Sequence, residues 1–319
     1  MNKQLLDEVL YCLSDDRHTY HYFKDKYCMF LLAHYIKEDT PIKNIKNSDL
    51  ARFCHKPLVK KWLAQQGSKQ FQSEMITTMW PVELFHFTLT LGQWGGDDPY
   101  WQQTARPGFN LVLQLNFSRF HDRLYENIMD DEAEFQPFSC DSHPISTHRN
   151  TIAWARLDFS EDLSEVLIEE VQNDWLRYAW EAYLNLVENP QRTRLKRYGF
   201  KPNWNRLDAY FKQVIKPIMS IWDEAVLCAT IEYVVNHIGA EKIYMHDHQT
   251  GVALKSMEYT QPPKSLYTKL PKKFGFESTK EPPLFLQQDR YVVRKLKKIQ
   301  KKITPQWHLL NLNKGGIHA

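Results

Sequence analysis

Glycine is scarce in this 319-residue chain, at 11 residues, and no run of about 20 apolar residues occurs in it. The second absence excludes a membrane-spanning helix. The opening Met-Asn-Lys-Gln-Leu-Leu-Asp-Glu lacks the apolar centre of a secretory leader and carries acids early, so the expectation is a cytoplasmic protein. Cysteine is sparse and badly spaced for crosslinking. Cys12, Cys28, Cys54, Cys140 and Cys228 are odd in number, far apart and free of any C-x-x-C pair, which argues against a disulfide scaffold and a cysteine-rich zinc site. Cys12, Cys28 and Cys228 sit in apolar helical runs and read as core thiols. Neither sign of charge dominates: 41 basic against 38 acidic residues leave a net charge of +3, so only local charge can select a partner. A Walker phosphate loop, a dinucleotide-binding glycine fingerprint, a G-x-S-x-G elbow and an H-E-x-x-H helix are also missing, which removes the recognisable nucleotide, hydrolase and zinc-protease classes.

What is present is aromatic bulk, 13% of the chain with 10 Trp, 16 Tyr and 17 Phe, enough for a sizeable core. Residues 1–79 read as a helical N-terminal lobe. Leu5, Leu6, Val9, Leu10 and Leu13 repeat at helical spacing, as do Tyr27, Phe30, Leu31, His34 and Tyr35, and a later helical piece over 58–63 stops at Gly67. Lys56, Lys60 and Lys61 raise the idea of a helix-turn-helix, but Pro57 occupies the turn and no basic reading face follows, so a packing subdomain is the better expectation. From residue 80 to 288 the pattern changes. Phe85–Leu91 alternates with period two, and strands are expected over 109–117, 151–159, 165–171 and 242–246, with helices over 173–188 and 206–237. The fold class is therefore α+β, a mostly antiparallel sheet with packed helices. Residues 289–319 read as a basic amphipathic helix and tail.

Four stretches carry candidate chemistry. In Glu169-Glu170-Val171-Gln172-Asn173-Asp174-Trp175 a strand runs into a helix with two carboxylates at its end. Strand alternation sends Glu169 and Glu170 to opposite faces, Glu170 with Val166 and Ile168, Glu169 with Leu167 and Val171. One reading is a general base for proton transfer, either glutamate, with Asp174 orienting it or the substrate and Gln172 and Trp175 contacting substrate. The other is a strand terminus paired to nearby Arg or Lys. Past the short strand over 242–246, His246 and His248 offer a partner acid and Tyr244 a ligand contact, against the plainer reading of a solvated turn; no third metal ligand stands at suitable spacing. The Gly- and Trp-rich loop over 94–108 presents Trp101, Gln102 and Arg106, suited to clamping a ligand or to tucking over the sheet. The helix beginning at Asp289 sets Arg290, Arg294, Lys297, Lys298 and Lys301 opposite an apolar stripe, a face for nucleic acid or another acidic partner, or simply a solvated face.

The stretch Ile168–Trp175 resembles the "EEvQSDW" signature of bacterial and phage-encoded proteins, with Asn173 in place of Ser. The order downstream is similar to the C-terminal half of a GNAT-type acyltransferase: strand, helix, strand, helix, then Tyr267-Thr268-Lys269 to Gly275-Phe276, with Glu277–Leu286 supplying the last strands. The likeness covers roughly residues 150–286. It implies acyl transfer from acetyl-CoA, whose diphosphate such enzymes hold on backbone amides of a Gly-rich loop at a helix N-terminus. Here that junction is Gln172-Asn173-Asp174, with no glycine, and Asp174 would repel a diphosphate. The other functional class is a non-enzymatic binding protein of a phage or mobile element, holding nucleic acid or a protein through the basic helix and the aromatic loop. The enzyme reading requires the carboxylates and the two histidines to converge within about 10 Å in one hollow.

Overall fold

The computed structural model describes residues 1–12, 18–36, 38–65, 70–72, 80–133, 136–139, 142–188 and 192–313; Gly67 and Cys140 lie outside them. In chain order the strands are β1 (His18–Tyr22), β2 (Thr40–Pro41), β3 (Gln70–Phe71), β4 (Phe85–Gly96), β5 (Gly108–Asn116), β6 (Thr151–Phe159), β7 (Glu165–Gln172), β8 (Lys242–His246), β9 (Glu277–Thr279) and β10 (Trp307–Asn311). Eight of them form one sheet in the order β1-β4-β5-β6-β7-β8-β10-β9, and β2 and β3 pair separately. All neighbours in the large sheet are antiparallel except β7 and β8. A parallel pair needs a crossover, and the helical stretch between Trp175 and Ile238 supplies it. The fold is α+β, as the alternating and helical patterns imply.

The two faces of the sheet differ. Leu111, Leu113, Leu115, Ala153, Ala155, Leu157, Val166, Ile168 and Ile243 bury one face against the helix Trp222–Tyr233, with Trp175, Leu176 and Ala179 of the helix Trp175–Glu188 in the same core. Each large aliphatic side chain fully removed from water there contributes about 1.5–3 kcal/mol. The second face packs Leu167, Tyr244 and Trp307 under the helices His248–Lys255 and Arg290–Ile299. Across β6 that face carries Arg156 and Asp158, both nearly fully buried. No helix among the described residues is long and apolar enough to cross a membrane.

Several details depart from the sequence reading. The helical N-terminal stretch gives β1 to the sheet, and the segment after the basic helix gives β10, which inserts between β8 and β9. Divisions at 79/80 and 288/289 therefore cut across one sheet. Of the final strands expected over 277–286, only Glu277–Thr279 is one; Leu284–Gln288 is helical. Cys28 and Cys228 are buried thiols, but Cys12 is exposed at the end of its helix.

The decisive correction concerns the phase of β7. Arg156 pairs with Glu170 and Leu157 with Ile168, so Glu169 is an extra residue, a β-bulge. Alternation restarts at the bulge. Glu170 lies opposite Arg156, and Leu167 opposite Asp158 on the same side of the sheet, whereas Ile168 and Val171 join the other core. Glu169 and Glu170 do not face opposite ways: Glu169 reaches Ala105 N, and Glu170 pairs with Arg156, which holds Gln102 and Gln103 of the same loop.

Candidate functional site

β7 and β8 run in register only from Glu165/Lys242 to Ile168/Met245. Beyond that β8 ends at His246 while β7 continues along β6 to Gln172, so the parallel pair parts. A cavity of about 340 Å³ opens at the end of β7, lined there by Glu170 to Asn173, at the small end of the range for small-molecule sites. Its wall includes Trp94, Trp101, Gln102, Gln103, His143, Trp154, Arg156, Glu170, Gln172, Asn173, Arg177 and Trp222, and Thr260–Pro263 close another side.

Arg156 organises the wall. Its Nε lies 2.8 Å from Glu170 Oε2, and its two Nη groups donate to the carbonyls of Gln102 and Gln103 at 2.8 and 3.0 Å. The guanidinium thus grips the loop that carries Trp101. Asp98 caps the short helix Pro99–Gln102, and Gln103 ends it at φ 52°, a left-handed conformation uncommon for a side-chain-bearing residue. Trp94 donates its indole N–H to Gln102 O, and Trp154 donates to Glu170 Oε2 at 3.4 Å. The loop is therefore held by buried charges of the sheet as well as by its own tryptophans. Two further anchors act farther along: Glu169 accepts from Ala105 N at 2.9 Å, and Arg106 forks onto Asp158.

At the strand–helix junction, His143 donates through Nδ1 to Asp174. Asp174 also accepts from Gln172 at 3.2 Å and lies 3.5 Å from Arg177. The hydrogen bond to Asp174 raises the His143 pKa above its ordinary value, against the opposing effect of burial. The imidazole leans on the Trp154 ring at 5.6 Å. Such a pair fixes the tautomer: with Nδ1 committed to a carboxylate, Nε2 becomes the basic nitrogen. Asn173 Oδ1 caps the following helix by accepting from Arg177 N, so this turn already satisfies a backbone donor with its own side chain.

The expected residues divide. Glu170, Trp101, Gln102 and Gln172 line the cavity, and Asp174 supports it through His143. Glu169 and His246 do meet, at 3.0 Å, but both are fully buried and neither lines the cavity. Burial pushes the Glu169 pKa up, yet the hydrogen bond and charge of His246, the Lys255 charge and the Ala105 amide outweigh it and hold the carboxyl at about 2. Lys255, itself buried, donates to the Glu169 carbonyl at 2.7 Å, and burial lowers its pKa. His248 turns elsewhere, bonding to Pro262 O at 3.0 Å and tethering the segment over the cavity. Arg106 is consumed by Asp158 and by Phe159 O and stacks on Phe285. Trp175 packs on the opposite face, donating to Tyr210 OH. Tyr244 is buried beside Glu165, with its pKa pushed up to about 12 by burial first and that charge second. None of these last four lines the cavity. Among the described residues no three His, Cys, Asp or Glu side chains gather as a metal site.

No protein-family model matches the chain, and no curated protein or solved structure matches it either.

Reading the sequence alone misses Arg156, Trp154 and His143. The first two had a signal: Trp154, Arg156 and Asp158 alternate with apolar residues in a strand buried on both faces, and such charges need partners. His143 had none, because it comes from irregular chain brought to Asp174 by tertiary packing.

Proposed function

We propose that the cavity is the active site of an acyltransferase-like enzyme, diverged from GNAT-type proteins in how it holds the acyl donor. The observation that carries this reading is His143, held by Asp174, on the wall of a hollow at the end of β7. In it His143 is the general base, acting through Nε2 on the acceptor, and Asp174 orients the ring and stabilises the imidazolium that forms. Glu170, with Oε2 committed to Arg156 and Trp154, positions the acceptor through Oε1. The order of strand, a run of helices, parallel strand and helix, followed by antiparallel strands, supports the resemblance. The turn Gln172-Asn173-Asp174 puts a carboxylate where a coenzyme A diphosphate would dock, so the site suits a compact acyl donor without a diphosphate there.

Hydrolysis of a small acyl ester such as p-nitrophenyl acetate tests this. The wild-type rate should fall about 100-fold in His143→Ala, the usual worth of a general base. Equal rates in the two proteins would end the proposal. Acetyl-CoA should raise the melting temperature little.

A second reading rests on the Arg290–Ile299 helix. Its apolar stripe Val292, Leu296 and Ile299 is docked, while Arg290, Arg294, Lys297, Lys298 and Lys301 are exposed and form no ion pair with a described residue. Nucleic acid held there would bind with an affinity that falls steeply with salt; no binding of an oligonucleotide at low salt would dismiss it.

A further inference from the structure

The lining of the cavity also selects its ligand. With His143 neutral its charges balance: Arg156 against Glu170 at 2.8 Å, and Arg177 at the rim 3.5 Å from Asp174, which also holds His143. An anion entering would meet Glu170, with Asp174 behind His143, and a cation would meet Arg156 and Arg177. Either would be desolvated without a free counter-charge. The Trp94 ring already has the Arg156 guanidinium over it at 5.9 Å, so its π face is not vacant for an external ammonium. A neutral ligand is favoured.

Its shape follows from the indoles. Trp94, Trp101, Trp154 and Trp222 line one small hollow, and Trp101 is 76% exposed, an uncommon placement for so large an apolar ring. Flat faces in a narrow space suit a flat molecule, and stacking on tryptophan is tolerant of ring identity. The polar edge follows from atoms that form no hydrogen bond with a described residue. Glu170 uses Oε2 for both Arg156 and Trp154, which leaves Oε1 as an acceptor. Gln172 gives its amide N–H to Asp174 and keeps its carbonyl. Asn173 uses its carbonyl on Arg177 N and keeps its NH₂. One wall therefore offers two acceptors and a donor, a pattern that reads the edge of an amino-bearing heterocycle.

We infer that the cavity takes a neutral, planar, amino-bearing heterocycle of the nucleobase type, stacked on Trp101, with its exocyclic amine donating to Glu170. This names the substrate class of the site proposed above and rests on that reading only for the claim that the ligand reacts there.

Calorimetric titration of the full chain with adenosine, cytidine and uridine, with choline and benzoate as charged comparators, decides the matter. Adenosine and cytidine should bind, uridine more weakly for want of the amine, and the charged pair not at all. Trp101→Ala, a change at an exposed position, should weaken adenosine about tenfold, the loss of one base stack. Glu170→Gln should narrow the gap between cytidine and uridine. The inference is overturned if neither amino nucleoside binds, if choline or benzoate binds more tightly, or if Trp101→Ala leaves affinity unchanged. The two proposals fail separately. Ester turnover that needs His143 without nucleoside binding removes only this inference, and nucleoside binding that needs Trp101 without His143-dependent turnover removes only the enzyme.

Discussion

Replacing Arg156 by Met tests whether one buried guanidinium holds the wall of the cavity together. Arg156 and Glu170 side chains are 2% and 6% exposed, so water cannot take over from a missing partner. Breaking a buried pair from one side costs about 3–5 kcal/mol, because the remaining charge is left uncompensated. The orphaned carbonyls of Gln102 and Gln103 act in the same direction, so about 4 kcal/mol is the expected loss. With an unfolding entropy of about 2.1 cal/mol/K per residue, that lowers the melting temperature by about 6 °C. Urea denaturation of Arg156→Met, Glu170→Leu and the double variant measures the coupling. The double variant leaves no unpaired charge and should cost at least 1.5 kcal/mol less than the sum of the singles, well beyond the scatter of independent sites. Proteolysis should also cut Arg156→Met first between residues 97 and 103. A loss under about 1 kcal/mol, or additive effects, would refute the argument that the pair anchors the loop.

Three other outcomes follow from the same geometry. The His143 ring, followed by NMR, should titrate above its ordinary value, and Asp174→Asn should bring it down; the acid limb of the pH–rate profile should move to lower pH with it, because the base must be unprotonated to act. Glu169, held at about 2 against an ordinary 4.5, contributes stability that is present above pH 4.5 and is lost as the pH falls toward 2. The advantage of wild type over Glu169→Gln, about 3 kcal/mol near neutrality, should therefore shrink across that window in acid-unfolding curves. Gly108→Ala should destabilise the protein by more than about 1 kcal/mol in a thermal melt, since φ is +121° there and an added Cβ would stand 2.4 Å from the Met1 carbonyl oxygen.

The sheet was largely legible in the chain, because period-two patterning and breaker residues are local. β6 and β8 have the bounds expected of them, and β4, β5 and β7 differ only at their ends. β1 and β10 were not legible. His-Thr-Tyr-His-Tyr and Trp-His-Leu-Leu-Asn are five-residue strands whose pairing is decided by distant neighbours. At the site, the acidic junction and the aromatic loop could be picked out from residue types, but their partners could not. Asp174 meets His143, 31 residues earlier, and Glu170 meets Arg156 across a hairpin. His246 seemed aimed at a ligand because a strand end is a common place for one, yet burial and Glu169 absorb it.

The extra residue in β7 has a consequence for how variation in this chain should be interpreted. Removing Glu169 would leave Leu167, Ile168, Glu170 and Val171 in uninterrupted alternation, with Ile168 still opposite Leu157 and Glu170 still opposite Arg156. Identity and length are thus separable at this point: Glu169→Gln keeps the bulge and loses the carboxylate held by His246, whereas deleting Glu169 removes the bulge and spares the register that puts Glu170 against Arg156.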